Sequence, residues 1–168
     1  MRTPFVLAWI MMAALSATAQ PSAVERNFES KKSRYTFDHF VEGEDATSGY
    51  DYLYYKSAGK IVKIRSIWSA SYSKTLRVED FYFAGDDLLL FRRSTAAGRL
   101  LSILKKGRNG LLSPKEEFHF GGGKLTKWIV DGKAKASDDS AWSQTEREIL
   151  DQAKSQREYY KWLKEGKF

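Results

Sequence analysis

Phe81-Tyr-Phe-Ala-Gly-Asp-Asp-Leu-Leu-Leu-Phe91 reads as an aromatic strand, a tight turn and an aliphatic strand ending on a bulky residue. The same pattern recurs as Tyr54-Tyr-Lys-Ser-Ala-Gly-Lys-Ile-Val-Lys-Ile64 and as Phe118-His-Phe-Gly-Gly-Gly-Lys-Leu-Thr-Lys-Trp128. Ala58-Gly59, Gly85-Asp86 and Gly122-Gly123 supply the positive φ angles that two-residue hairpin turns need. The turns give all three hairpins one register, with Lys56 opposite Ile61, Phe83 opposite Leu88 and Phe120 opposite Leu125. The copies are unequally spaced, which excludes a strict-period solenoid and favours an antiparallel meander.

Side chains alternate across a strand, so an unbroken register sorts the sheet into two faces. One collects Tyr54, Ile61, Phe81, Phe83, Leu88, Leu90, Phe118, Phe120 and Leu125, with Lys56, Lys63 and Lys127 intruding. It is the expected core. The other carries Leu53, Tyr55, Val62, Ile64, Trp68, Tyr82, Leu89, Phe91 and Trp128, mixed with Asp80, Glu117, His119 and Thr126. On this mixed face Tyr55, Tyr82, His119 and Trp128 form a candidate binding band, suited to stacking on sugars, lipids or side chains.

Outward from the hairpins, Tyr35, Phe37, His39 and Val41 alternate as a further strand. At the C-terminal end Ser143-x-x-Glu146 matches a capping box, and Trp142, Ile149, Ala153, Tyr160 and Leu163 then share one helical face. Ala23 to Lys32 shows no decisive period and reads as a short helix or a loose lead-in. Ala96 to Ser113 fits helix or strand equally, with a hairpin signal at Asn109-Gly110. The fold expected is α+β: an antiparallel meander of six or seven strands, with three similar hairpins and a C-terminal helix packed on one face.

The first residues read as an address. Arg2, the apolar run Phe5 to Leu15 and the small-residue site Ala17-Thr18-Ala19 match a secretory signal. The run is too short to cross a bilayer, which takes about 20 apolar residues. Residues 1–19 are therefore expected to be a cleavable signal peptide and residues 20–168 a single exported domain, periplasmic or secreted, with a bacterial source preferred.

The 168 residues carry a formal net charge of +7. Arg92, Arg93, Arg99, Lys105, Lys106, Arg108 and Lys115 lie in one window without an acid, so basicity is local in sequence. Asp38, Glu42, Glu44, Asp45 and Asp51 form a block of opposite sign. Arg92, Arg93, Arg99, Lys105, Lys106 and Arg108 are candidate contacts to a phosphate-rich partner, unless the two blocks pair with each other.

Chemistry is narrowed by what is missing. The chain has no cysteine and only two histidines, which excludes disulfides, cysteine nucleophiles and cysteine-ligated zinc. Nucleophile-elbow, zinc-protease and phosphate-loop motifs are absent. Asp80 and Glu117 are the one carboxylate pair to examine for hydrolysis, and Glu42-Gly-Glu-Asp45 lacks EF-hand spacing for calcium. No cofactor, metal ligand or catalytic residue is expected. The function expected is a non-catalytic exported binding or accessory module. It uses the mixed face and the basic 92–115 segment to contact a protein, a glycan or an anionic envelope component, without sequence-specific nucleic acid binding and without a transmembrane anchor after signal cleavage. The alternatives are a lipid-handling carrier with an apolar cavity, and an unrecognised hydrolase.

Overall fold

The computed structural model describes residues 22–42, 48–70, 75–97, 114–138 and 140–166. Its sheet is an eight-stranded antiparallel meander in which every strand pairs with its sequence neighbour. The strands are β1 (Thr36–Glu42), β2 (Ser48–Ser57), β3 (Lys60–Ala70), β4 (Thr75–Ala84), β5 (Asp87–Ala97), β6 (Glu116–Gly121), β7 (Lys124–Val130) and the two-residue β8 (Lys133–Ala134). Helix α1 (Ala23–Lys31) lies against one face and helix α2 (Trp142–Lys164) against the other. The expected α+β meander with a C-terminal helix is the fold observed, with a last short strand added by a turn at Asp131-Gly132, both at positive φ.

The three hairpins pair at their turns as the sequence implies: Lys56 with Ile61, Phe83 with Leu88 and Phe120 with Leu125. The next pairs out are Tyr55 with Lys63, Tyr82 with Leu90 and His119 with Lys127. Val62, Leu89 and Thr126 are therefore extra residues, one bulge at the same place in each copy. In the third bulge Thr126 Oγ1 donates to the His119 carbonyl oxygen at 3.0 Å.

An extra residue reverses the facing of everything beyond it in its strand. Strict alternation therefore misplaces the outer halves of β3, β5 and β7. Ile64, Trp68, Phe91 and Trp128 join the α2 side, whereas Lys63, Leu90 and Lys127 go to the α1 side. The correction makes chemical sense: two of the three intruding lysines leave the apolar face and large apolar groups replace them.

Two cross-strand rows summarise the result. On the α2 face Tyr54, Ile64, Phe81, Phe91, Phe118 and Trp128 stand directly opposite one another across β2 to β7. Ring centroids along it are 4.6 Å apart for Phe81 and Phe91, 5.5 Å for Phe91 and Phe118, and 5.3 Å for Phe118 and Trp128. One residue along on the α1 face runs Leu53, Arg65, Asp80, Arg92 and Glu117. Apart from Leu53, that row is a ladder of alternating charge, and all its members are buried.

Ile149, Ala153 and Leu163 of α2 close the aromatic core, with Trp142 and Tyr160 against it. The expected helical stripe is thus the packed one, each large buried side chain being worth about 1.5–3 kcal/mol. The expected cap is not formed. Ala141 is the N-cap without a side-chain bond, and Glu146 instead accepts the Leu125 N–H at 2.7 Å. The capping box belongs to α1, where Ser22 Oγ accepts the Glu25 N–H at 3.2 Å and Glu25 Oε2 accepts the Ser22 N–H at 3.0 Å. Phe28 anchors α1 by edge contacts to Tyr55 and Tyr82 at 5.3 and 5.6 Å.

Candidate functional site

Tyr55, Tyr82 and His119 do share one row of the α1 face, but with Lys63 and Leu90 between them. Tyr55 and Tyr82 are buried under Phe28, and Trp128 lies on the opposite face in the α2 core. The four residues therefore do not form one open surface. Burial lowers the His119 pKa below its ordinary 6.5, against the pull of Glu117, so the ring is neutral at pH 7.

The same face holds a closed ionic lattice. Arg65 Nε and Nη2 donate to the two oxygens of Asp80 at 2.6 and 2.7 Å. Lys63 Nζ donates to the Tyr82 hydroxyl at 2.8 Å and lies 3.3 Å from Asp80. Burial takes the Lys63 ammonium down to about 8, although Asp80 opposes the shift. Burial also acts to raise the Asp80 carboxyl, but Arg65 and Lys63 outweigh it and hold the group at about 2. A carboxyl so held has no proton to give near neutrality, which removes Asp80 from the role of general acid. Arg92 separates it from Glu117 in the row and forms an ion pair with the fully buried Glu25 of α1.

In the basic window Arg92 and Arg93 are likewise engaged, while Lys115 is exposed. Arg92 is buried, and Arg93 donates to Glu79 at 3.2 Å and to Glu116 at 2.7 Å. Arg99, Lys105, Lys106 and Arg108 lie outside the described residues, as do the Asn109-Gly110 signal, the calcium candidate's Gly43 to Asp45 and the signal segment; of the helix-or-strand segment only Ala96 and Ala97 are described, as the end of β5. The acidic block pairs elsewhere. Asp38 accepts from Lys56 at 2.7 Å and from the Tyr160 hydroxyl at 2.6 Å, Glu42 accepts from the Tyr159 hydroxyl, and Asp51 bonds to His39.

The open chemistry is on the α2 face, towards the ends of the strands remote from the three tight turns. There Tyr50 pairs with Trp68 and Trp68 with Arg77; in the neighbouring row Tyr52 pairs with Ser66 and Ser66 with Glu79. With Gln152 and Gln156 from α2 these residues line a cleft of about 350 Å³, within the roughly 300–1,000 Å³ usual for small-ligand sites. Tyr50 and Tyr52 stack at 5.9 Å with an interplanar angle of 4°. Burial pushes the Tyr52 phenol up to about 12, so it remains an O–H donor.

Glu79 organises the polar wall. Its Oε1 accepts from Arg77 Nε at 2.9 Å and Nη2 at 2.5 Å, and its Oε2 accepts from Gln152 Nε2 at 2.6 Å. Arg77 is thereby aimed while its side chain stays 46% exposed. Gln156 Oε1 is buried with no hydrogen-bond partner among the described residues, an acceptor that burial leaves in need of a donor. Strict alternation hides this cleft, because without the bulge at Val62 it puts Trp68 on the wrong face. The exposed Tyr50 was outside the repeated motif.

A second groove, of about 620 Å³, runs between α2 and the first two hairpin turns. Ile61, Phe83, Leu88 and Leu150 give it an apolar floor, and Lys60, Lys154 and Lys161 stand at its rim. Arg157 spans it to bond Asp86 on the β4–β5 turn.

Fold and cleft together describe an eight-stranded meander with a helix on each face and an aromatic, amide-lined recess beside the longer helix. Neither a protein-family model, nor a curated protein, nor a solved structure matches the chain.

Proposed function

We propose that the protein is a non-catalytic exported binding module that holds a glycan of the cell envelope in the cleft between Trp68 and α2. The supporting observation is that two kinds of group converge there. Tyr50 and Trp68 offer ring faces on which a sugar's C–H surface stacks. Arg77, Gln152, Gln156 and the Tyr52 hydroxyl offer planar or directional hydrogen bonds. A sugar hydroxyl both donates and accepts, so it satisfies the Gln156 oxygen and the Arg77 donors together. Glu79 is a positioning residue: it fixes Arg77 and Gln152 and spends its own acceptors in doing so.

Calorimetric titration with soluble peptidoglycan fragments and lipopolysaccharide core oligosaccharides tests the proposal. One of these should bind, and Trp68→Ala and Arg77→Ala should each weaken it about tenfold or more, roughly 1.4 kcal/mol, without lowering the unfolding temperature of the free protein. Binding unchanged in both variants, or absent from both glycan classes, would contradict it. Salt separates a neutral from an anionic glycan, since only the latter loses affinity steeply as ionic strength rises.

The lipid-carrier reading draws support from the apolar groove with its cationic rim. A carrier of that kind would take up laurate and lose it in Leu150→Arg, with the glycan cleft undisturbed.

A further inference from the structure

Four large apolar side chains stand exposed among the described residues: Phe37 at 59%, Val41 at 53%, Trp162 at 46% and Tyr50 at 41%. Tyr50 belongs to the cleft. The other three gather at one edge of the sheet. Phe37 and Val41 project from β1 on the α1 side. Trp162 lies in the last turns of α2, which sit over β1 through the Tyr159 bond to Glu42 and the Tyr160 bond to Asp38. Chance scatter of single apolar residues needs no explanation, but three of them flanking one unpaired edge, two on one side and one on the other, point to an association surface.

β1 is also an edge without the usual guards. Among the described residues it pairs on one side only, with β2. Proteins blunt such edges with proline, outward lysine, bulges or very short strands. β8, at the other edge, has only two residues. β1 has seven, Thr-Phe-Asp-His-Phe-Val-Glu, and its register with β2 is unbroken. It contains neither proline nor a basic residue except His39. Its two acids are drawn to the α2 side and bound there, so they do not discourage pairing.

We infer that two copies of this chain pair edge to edge through β1, antiparallel, with His39 on the two-fold axis. The side chains decide both partner and register. With His39 central, Phe37 faces the second copy's Val41, Asp38 faces its Phe40 and Thr36 faces its Glu42, so apolar groups meet and no acids are opposed. Centring on Phe40 instead would set Asp38 against Glu42, and centring on Asp38 would oppose the two aspartates. A two-fold axis normal to the sheet keeps each face continuous, so both Trp162 rings lie on the α2 side of the joint. The arrangement is closed, and one sheet runs through both copies. It leaves the glycan cleft open and holds independently of what that cleft binds.

Sedimentation equilibrium of the protein across a concentration series should show a dimer that dissociates on dilution. Phe37→Lys with Val41→Lys, both at exposed positions, should raise the dissociation constant at least tenfold while the protein stays folded. The chain's lack of cysteine permits a register test by oxidation. Cα atoms directly opposite in an antiparallel pair are about 4.5–5.5 Å apart, within disulfide reach, so His39→Cys should cross-link to itself. Phe37→Cys should not, because two such residues would lie about 14 Å apart at this register, whereas Phe37→Cys with Val41→Cys should. The double-cysteine variant carries the test if loss of the His39 bond to Asp51 destabilises the first. A monomer at every concentration, a dimer indifferent to the lysine variants, or self-linking of Phe37→Cys alone would overturn the inference.

Discussion

Asp80 receives both bonds of the Arg65 fork and lies 3.3 Å from Lys63, with little exposed surface to dilute either charge. Asp80→Asn would leave two buried cations short of a partner, a change that costs roughly 3–5 kcal/mol. The pH dependence follows from the direction of each shift. Asp80 sits at about 2 in the folded chain against an ordinary 3.8, so the unfolded chain takes up its proton first. Its contribution is complete above about pH 4 and is lost as pH falls towards about 2. Lys63 has the opposite consequence. Its folded value of about 8 lies below the ordinary 10.5, so the unfolded chain holds the proton between those values and stability rises with pH across that window. Denaturant titrations at stepped pH should show both limbs. The acid limb should shrink in Asp80→Asn and the alkaline limb in Lys63→Met; limbs unchanged in these variants would contradict the ionic lattice.

Each hairpin's second strand carries one residue that pairs with nothing. Deleting Leu89 should remove the bulge from β5 yet leave Leu90 opposite Tyr82 and Phe91 opposite Phe81. The expected outcome is a variant that still unfolds cooperatively; loss of cooperative unfolding would contradict the reading of Leu89 as the extra residue. These bulges explain how much of the sheet could be read in advance. Turns declare themselves through Ala58-Gly59, Gly85-Asp86 and Gly122-Gly123, and they set the first pairs correctly. Val62, Leu89 and Thr126 look like ordinary strand residues, since an extra residue is defined only by the strand opposite. Hence strict alternation places Trp68, and the cleft around it, on the wrong side. Other signals were local and went unused: Ser22-x-x-Glu25 has the same capping spacing as Ser143-x-x-Glu146, and Asp131-Gly132 is a standard hairpin pair. Glu25 also reaches Arg92 across the sheet, which no spacing announces. Glu25→Gln should therefore cost roughly 3–5 kcal/mol, as for a broken buried ion pair. Loss of the Ser22 cap alone should cost only about 1 kcal/mol. Equal effects in Ser22→Ala and Glu25→Gln would contradict that division.

The molecule as a whole assigns different work to its two faces. Beneath α1 the charges are numerous and set in opposite-sign pairs, and the tyrosines that the repeats bring into line are used as packing. Beside α2 the aromatic ladder ends in a recess where rings, a guanidinium and two amides face an open volume. At the β1 edge, apolar residues suit a second copy in one register. Of these three surfaces the recess is the one to which we assign ligand binding. Heteronuclear NMR titration of the protein with the oligosaccharide that binds most tightly distinguishes it from the others. The Trp68 indole N–H, the Arg77 Nε–H and the side-chain amides of Gln152 and Gln156 should shift together, saturating with one constant. Shifts confined instead to Tyr55, Tyr82 and His119, or to the Lys60 to Leu150 groove, would contradict the assignment of the working surface to this cleft.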